Sequence, residues 1–302
     1  MIPAAFLAAT GWSDATATPL AGDASSRSYT RLAQNGESAI LMRANGTPLF
    51  PFLRVAEHLR GIGLSPPTIL AESDDMLLIE DLGDAVFARL IAADASREHP
   101  LYEAATDLLV TLQNAALPEY LAPYGPTQMA AALEPCWTYY TRCDGAHINR
   151  IFRDLLESHA PETTALLHRD YHAENLIWLP DRTGPARVGL LDFQDALAGH
   201  PSYDLASLLQ DARRDVSADL EEAMIERFCT TTDCDPDAFR AAYALQSVQR
   251  HLRILGIFTH LADERGKPGY LALIPRVRGY LDRCLAHPVC ESLRAPLAEL
   301  LP

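Results

Sequence analysis

The sequence is short of positive charge, of lysine in particular, and of long apolar runs. Lys267 is the only lysine, and 40 acidic residues against 25 lysines and arginines give a formal net charge of -15. A surface that binds nucleic acid needs basic patches, so this balance argues against such a partner. No apolar run has the length of a membrane span, and the first residues lack the basic segment of a signal peptide. We therefore expect a cytoplasmic protein with neither a membrane nor a nucleic-acid partner.

Cysteine is also sparse, and its spacing is unlike that of a metal site. The six cysteines show no CxxC pairing of the kind that binds zinc. In the cytosol they would stay reduced, and we assign them no chemistry. The chain has 302 residues and 48% hydrophobic content, which is enough to bury a sizeable core. This length favours two lobes or domains over one small module.

The most informative motif is HRDYHAEN at residues 168–175, which is followed by LLDFQ at residues 190–194. Phosphoryl transfer from a nucleotide requires a group that takes the proton of the acceptor hydroxyl, and oxygen ligands that hold Mg²⁺ against the phosphates. Asp170 is suited to the first task, and Asn175 and Asp192 are suited to the second. The spacing HRDxxxxN is that of a kinase catalytic loop. The alternative is that these side chains only cap a turn.

Two apolar runs connect the parts of this motif. Residues 176–179 and 188–191 flank a turn at residues 180–184, which predicts two short paired strands. Such a hairpin brings its two ends side by side, so we expect Asn175 and Asp192 to be neighbours in space. Asp204 follows at the start of a predicted helix, where we expect it to brace the catalytic loop and not to contact substrate.

At these residues the chain resembles the aminoglycoside phosphotransferase family, the small-molecule branch of the kinase-like fold that also includes choline and homoserine kinases. That branch carries an Asp-Phe or Asp-Trp metal motif without the protein-kinase glycine, as residues 192–194 do here. Residues 170–175, 192–196 and 211–216 look most like the bacterial anomeric kinases of N-acetylmuramate and N-acetylglucosamine. The resemblance extends from about Gly22 to about Val216.

The resemblance implies an α+β, bilobal protein-kinase-like fold. Its small, β-rich N-terminal nucleotide-binding lobe would comprise residues 1–82, and its larger, mainly helical catalytic and substrate-binding lobe residues 83–302. It further implies an enzyme that uses ATP and Mg²⁺ to phosphorylate the anomeric hydroxyl of one or both sugars in cell-wall sugar recycling. The alternatives are an aminoglycoside or choline-type amino-alcohol kinase, and a catalytically silent nucleotide-binding regulator. The sequence leaves the oligomeric state open.

Several N-terminal residues are candidates for binding the nucleotide. Residues 28–32 and 38–43 are predicted strands around an Asn-Gly turn. Residues 22–27, just before these strands, are small and polar, so their backbone N–H groups and hydroxyls could bind phosphates. The alternative is an ordinary surface turn. Kinase-like folds pair a lysine on a strand with a glutamate on a helix. The predicted strands of this chain contain no lysine, so either Arg43 or Arg27 would supply the cation. Backbone groups beside the strand at residues 76–82 would contact adenine. The candidates are Ser25, Ser26, Arg27, Arg43, Glu57, Glu80 and Leu82.

The acceptor side has its own candidates, each with an alternative. His172, Glu174 and Asp195 offer hydrogen bonds to sugar hydroxyls and an amide, or are solvated surface groups, and Asp195 could instead serve the metal. Arg213 and Arg214 could receive the lactyl carboxylate of N-acetylmuramate through charge-assisted bonds. The alternative for these arginines is ion pairing with Asp211 and Asp215.

Overall fold

The structure is a computed structural model that describes residues 4–20 and 27–301. Ser25 and Ser26, two of the predicted phosphate contacts, lie outside the described residues. The helices and strands in chain order are α1 (Ala4–Thr10), β1 (Thr16–Leu20), β2 (Ser28–Gln34), β3 (Glu37–Arg43), α2 (Phe50–Gly61), β4 (Ile69–Glu72), β5 (Met76–Glu80), α3 (Phe87–Ala93), α4 (Glu98–Asn114), α5 (Pro126–Ala131), α6 (Ala146–His159), β6 (Ala165–Leu167), β7 (Leu176–Trp178), β8 (Val188–Leu190), β9 (Leu197–Gly199), α7 (Ser202–Leu209), α8 (Ala218–Thr232), α9 (Pro236–Glu264), α10 (Ile274–Leu285) and α11 (Glu291–Leu300).

The N-terminal strands form one antiparallel sheet in the order β1-β2-β3-β5-β4. Asn35 and Gly36 join β2 to β3 with positive φ angles of 54° and 82°. Those angles suit the tight hairpin turn that the Asn-Gly pair predicts. Leu32, Leu41 and Leu78 are buried on one face of this sheet. The β-rich N-terminal part and the mainly helical remainder confirm the expected α+β class.

Helix α2 covers part of the N-terminal region with an apolar stripe. Phe52, Val55 and Leu59 recur at helical spacing and are buried. Pro51 stands in the first turn, where its missing N–H costs no hydrogen bond. Glu57 lies on the exposed side of the helix. The apolar spacing at residues 50–60 of the sequence is by itself typical of such a helix.

The predicted hairpin at the metal motif is present. Strands β7 and β8 pair antiparallel, with Leu176 opposite Leu190. Ser65 ties the hairpin to the preceding chain, because its hydroxyl donates to the Ala186 carbonyl over 2.6 Å and its carbonyl accepts the N–H of Leu190 over 3.0 Å. The hairpin therefore belongs to the first of two compact units, which runs to Ala93 and includes Glu174–Asp195.

The second unit comprises Asp94–Ala173 and the chain from Ala196 onward, and helix α9 is its longest element. The Asp235 side chain caps α9 by accepting the N–H groups of Asp237 and Ala238. At Gly256 the helix passes so close to Pro135 that a Cβ would lie 2.1 Å from the proline backbone. Polar residues are buried along α9 as well as apolar ones, which is unusual for a core helix.

Within residues 4–20 and 27–301, no helix combines the length and the apolar character that a membrane crossing requires.

His200 is buried just ahead of α7, and its imidazole supports the start of that helix. Its Nδ1 accepts the backbone N–H of Ser202 over 3.2 Å. Burial lowers the pKa of His200 to about 4, although the carboxylate of Glu162 acts in the opposite direction. Since the folded protein holds this imidazole neutral, protonation favours the unfolded chain.

We expect His200 to make folding sensitive to acid. The pKa of His200 is about 4 in the folded protein and 6.5 for an ordinary imidazole. The neutral imidazole therefore stabilises the fold fully above pH 6.5, and this stabilisation is lost as the pH falls toward 4. The free energy of unfolding should fall by about 3 kcal/mol more in the wild type than in His200→Gln over that range. Urea titrations at several pH values test this. The control is His147→Gln at an exposed position. If the free energy of unfolding changed with pH in the same way in the wild type and in His200→Gln, His200 would not be the source of the acid sensitivity.

Candidate active site

The loop at residues 168–173, which we call the catalytic loop after its predicted role, is held by a buried carboxylate on α7. The two oxygens of Asp204 accept the backbone N–H groups of His168 and Arg169, over 2.5 and 2.9 Å. Arg169 has a positive φ of 74°, which is rare for a residue with a side chain and is maintained here by these bonds. Burial raises the pKa of Asp204 to about 7, and the two N–H donors oppose that rise. The predicted bracing role of Asp204 is confirmed.

A second anchor follows at Tyr171. Its ring is fully buried, and its hydroxyl donates to the carbonyl of Ala105 on α4 over 2.8 Å. Asp170, between the two anchored residues, has an exposed side chain. The loop therefore presents a carboxylate to solvent while its neighbours are tied to the core. A group arranged in this way can accept a proton from a ligand without rearrangement of the backbone.

His172 is buried, although it was predicted as a sugar contact. Its Nε2 accepts from the Arg213 guanidinium over 3.3 Å. Burial, together with the charges of Arg213 and Arg250, lowers the pKa of His172 well below its ordinary value, so the imidazole is neutral. The backbone N–H of Arg213 donates to Asp211, whose carboxyl is fully buried. Arg213 therefore lies between the catalytic loop and Asp211.

Helix α9 contributes two arginines that the sequence analysis did not single out. Arg250 is buried, and it donates to the Gln210 carbonyl over 3.1 Å. Burial lowers its pKa, while the charges of Asp211 and Asp170 act against that change. Arg253 is half-buried, and Asp170 is again among the charges that raise its pKa. The signal that would have found them is a run of polar residues at helical spacing, Gln246, Gln249, Arg250 and Arg253, in an otherwise apolar helix.

In the first unit, the hairpin brings Asn175 and Asp192 together. The backbone N–H of Leu191 donates to the Asn175 carbonyl over 3.0 Å, so the two ends of the hairpin are adjacent, as predicted. Asp192 has a positive φ of 61°, and its carboxylate accepts from the Gln194 amide over 2.7 Å. Phe193 is buried, and its ring lies 4.7 Å from that of Phe52 on α2.

The predicted phosphate-binding arginines lie in the same unit. Burial raises the pKa of Tyr29, and the charges of Arg27 and Asp192 shift it in opposite directions, so both are neighbours of this hydroxyl. Arg27 is buried. Arg43 lies opposite Ser28 in the pairing of β2 with β3, and Ser28 follows Arg27 in the chain. The structure thus brings both arginines close together near the start of β2.

The end of β5 and the residues that follow it contain the predicted adenine contacts. The backbone N–H of Glu80 donates to the Thr68 carbonyl over 2.8 Å, so this N–H is already used within the sheet. The Glu80 carboxylate pairs with Arg182 over 2.5 Å. Leu82 is buried, and a Cβ on Gly189 of β8 would lie 3.0 Å from its side chain. Glycine at this position lets β8 approach Leu82 closely.

The remaining predicted residues are in different surroundings. Glu174 and Asp195 have exposed side chains. Arg214 forms an ion pair with Glu98 over 2.6 Å and also donates to the hydroxyl of Tyr102. Asp215, suggested as a partner of these arginines, instead pairs with Arg276 on α10. The Arg214 guanidinium is therefore engaged on α4, and its charge is largely neutralised there.

A magnesium ion places modest demands on the protein. The described ranges contain no group of three or more His, Cys, Asp or Glu side chains arranged as a metal site. Mg²⁺ does not need such a group, because it keeps several waters and combines one or two protein oxygens with substrate phosphates. The amide oxygen of Asn175 and the carboxylate of Asp192 are hard ligands at adjacent ends of one hairpin. The donor set therefore suits this ion.

Comparison with known proteins gives a consistent result. Residues 16–243 match the model of the phosphotransferase enzyme family. An N-acetylmuramate/N-acetylglucosamine kinase from Caulobacter vibrioides is 36% identical over 99% of this chain and 96% of its own length. A protein with the same name from Pseudomonas aeruginosa is 31% identical over 99% of this chain and 91% of its own length.

Solved structures show the same fold at low sequence identity. A choline/ethanolamine kinase family protein from Mesorhizobium loti has a TM-score of 0.67 and 16% identity, with 95% of each chain covered. An aminoglycoside phosphotransferase in ternary complex with ADP and hygromycin B has a TM-score of 0.61 and 16% identity, and the match covers 95% of this chain and all of that one. These likenesses confirm the kinase-like fold.

The bracing role of Asp204 leads to a measurable prediction. Asp204→Ala leaves two buried N–H groups without an acceptor, so the free energy of unfolding should fall by about 3 kcal/mol. Asp204→Asn retains one acceptor oxygen and should lose less. Urea titration of the purified variants gives both values. Asp282→Ala, at an exposed position within α10, serves as the control. Equal stability of Asp204→Ala and the control would show that the loop does not depend on this carboxylate.

Proposed function

Because the chain belongs to the phosphotransferase enzyme family, we propose that it is an ATP-dependent sugar kinase that phosphorylates the anomeric hydroxyl of N-acetylmuramate, of N-acetylglucosamine, or of both. The observation that carries the proposal is the likeness to kinases of that name over nearly the whole chain. The candidate active site supports it, since Asp170, Asn175 and Asp192 are all present. A place in cell-wall sugar recycling in the cytoplasm follows from the same likeness.

Asp170 is proposed as the catalytic base. Its carboxylate accepts a hydrogen bond from the anomeric hydroxyl and takes the proton as the new oxygen–phosphorus bond forms. A hemiacetal hydroxyl is more acidic than an ordinary alcohol, so a carboxylate can assist its deprotonation. The exposed side chain of Asp170, held between the anchored residues Arg169 and Tyr171, suits this task.

The nucleotide is proposed to bind through the first unit. Asn175 and Asp192 would hold Mg²⁺, which when bound neutralises charge on the phosphates. Arg27 and Arg43, which lie close together near the start of β2, supply the positive charge that a strand lysine provides in other kinase-like proteins. The further proposed nucleotide contacts are Ser25, Ser26, Glu57, Glu80 and Leu82.

The sugar is proposed to bind near the catalytic loop. His172 is neutral and could exchange hydrogen bonds with hydroxyls, while Glu174 and Asp195 are exposed and have acceptor oxygens. Arg213 remains a candidate for the lactyl carboxylate. Arg214 is the weakest member of the proposed set, because its charge is already paired with Glu98.

An aminoglycoside kinase is the second candidate, and its support is the fold shared with the hygromycin-bound structure. Aminoglycosides are cationic, and a cation would be repelled by the positive charges of Arg213, Arg250 and Arg253 in the second unit. The charge on α9 thus favours a neutral or anionic acceptor. A choline-type amino alcohol is also a cation, so the same repulsion weighs against it.

Product analysis tests the proposed reaction. The protein is incubated with Mg-ATP and each sugar, and the products are examined by phosphorus NMR. A phosphate on the anomeric oxygen is the expected result. Phosphate at C6, or turnover of aminoglycosides alone, would refute the proposal. Nucleotide binding without turnover of any sugar, aminoglycoside or amino alcohol would support a silent regulatory protein.

We expect Asp170→Asn to separate turnover from nucleotide binding. The substitution keeps the shape of the side chain but removes the negative acceptor, so kcat should fall by roughly 100- to 10,000-fold while the Kd for Mg-ATP is unchanged. Asp192→Ala is the contrasting variant, because loss of a proposed metal ligand should weaken Mg-ATP binding itself. Steady-state kinetics and calorimetry give the two quantities. A nearly normal kcat in Asp170→Asn would show that another group is the base.

A further inference from the structure

Helix α9 carries two positive charges into the interior of the second unit beside the catalytic base. Arg250 and Arg253 are three residues apart, and neighbours at this spacing lie on the same face of a helix. Asp170 acts electrostatically on both of them. The same helix face carries Gln249, whose amide donates to the hydroxyl of Tyr124 over 3.1 Å. The face is therefore turned toward the region of the catalytic loop.

Neither arginine is neutralised by direct contact with an acid. In the described part of the chain, no carboxylate oxygen lies within 4.0 Å of a guanidinium nitrogen of Arg250 or Arg253. Arg250 donates to a backbone carbonyl, which satisfies a hydrogen bond but does not cancel the charge. Buried charges are normally paired, because removing an ion from water is costly. Asp170 acts on both cations and Asp211 acts on Arg250, but only at a distance. Direct pairing with an anion is therefore left to a ligand from outside the chain.

The surroundings of Arg253 are aromatic. The rings of Tyr124 and Tyr203 meet edge to face, with centroids 5.7 Å apart. The Arg169 guanidinium lies 5.5 Å from the Tyr124 ring centre, which links this wall to the first residues of the catalytic loop. Both tyrosines act electrostatically on Arg253. Tyr124 and Tyr203 are buried, and buried rings beside a guanidinium limit the positions that it can adopt, as a specific binding site requires.

We propose that Arg253, supported by Arg250, forms a carboxylate subsite that recognises the lactyl group of N-acetylmuramate. This inference rests on the proposed function. The lactyl ether is on C3 of the sugar and the reacting hydroxyl is on C1, so a single ring carbon separates the two positions. A cation near Asp170 is therefore well located to bind the carboxylate while Asp170 faces the anomeric hydroxyl. N-acetylglucosamine lacks the lactyl group and would leave the subsite empty.

Arg253 is better suited to this role than the other arginines of the unit. Arg214 is engaged by Glu98, and Arg213 contacts His172 and the Asp211 turn. Arg250 is almost fully buried, with 5% of its surface exposed. Arg253 is half-buried, so it is the more exposed of the two arginines on α9, and a guanidinium can form a charge-assisted hydrogen bond to a carboxylate.

Comparing the two sugars tests the subsite directly. Arg253→Gln should lower kcat/KM for N-acetylmuramate by about 10- to 100-fold, the usual effect of losing a hydrogen bond between charged groups. It should lower kcat/KM for N-acetylglucosamine by clearly less, because that sugar loses only the electrostatic effect of Arg253 on Asp170 and no direct contact. The activity retained with N-acetylglucosamine also shows that the variant is folded. Arg253→Lys retains the charge and should recover part of the loss. With the methyl ester of N-acetylmuramate, Arg253→Gln should lose no more of its kcat/KM than it loses with N-acetylglucosamine.

The control and the contrary outcomes are equally specific. The control variant is Arg240→Gln. Arg240 is on the same helix but pairs with Glu222 at the surface, so its loss should leave kcat/KM unchanged for both sugars. If Arg253→Gln lost the same fraction of kcat/KM with both sugars, the subsite would be refuted. It would also be refuted if this variant preferred N-acetylmuramate over its methyl ester as strongly as the wild type does. If the wild type phosphorylates neither sugar, the proposed function fails. Calorimetric binding of N-acetylmuramate against its methyl ester then still decides whether the carboxylate is recognised.

Discussion

The carboxylate of Asp204 is the interaction on which the catalytic loop depends. The loop has no strand partner at His168 and Arg169, so the two N–H groups there need an acceptor inside the protein. Asp204 supplies both oxygens from the first turn of α7, and Arg169 adopts its left-handed conformation as part of the same arrangement. Because the backbone is held from within, Asp170 can remain exposed and still have a defined position.

The hairpin at the metal motif follows the same principle in the first unit. Asp192 is exposed, and its neighbour Phe193 is buried against Phe52. Asp192 also has a positive φ angle, which costs free energy unless the surrounding packing supports it. Ser65 provides part of that support through its bonds to the hairpin. In both units an exposed carboxylate lies beside a residue that is anchored in the core.

The charges around Asp170 make this region unfavourable for a cationic ligand. The buried part of the second unit contains the carboxyl groups of Asp204 and Asp211, and burial raises the pKa of each. Arg250 and Arg253 on α9 both interact electrostatically with Asp170, and Arg213 donates to His172. The positive charge near Asp170 is compatible with an acidic sugar, and it explains how a chain of strongly negative net charge could bind an anionic acceptor.

The sequence by itself determined the elements whose signals are local. The Asn35-Gly36 turn, the apolar stripe of α2 and the paired strands around Asn175 and Asp192 each depend on residues close together in the chain. The motif at residues 168–175 likewise indicated Asp170 as the candidate base. The position of Asp204 at a predicted helix start indicated that it braces the loop. Only the tertiary structure decided which charges meet. Periodicity predicts that α9 is a helix, but whether Arg253 lies near Asp170, or Arg214 pairs with Glu98, depends on how distant helices pack, and no local pattern encodes that.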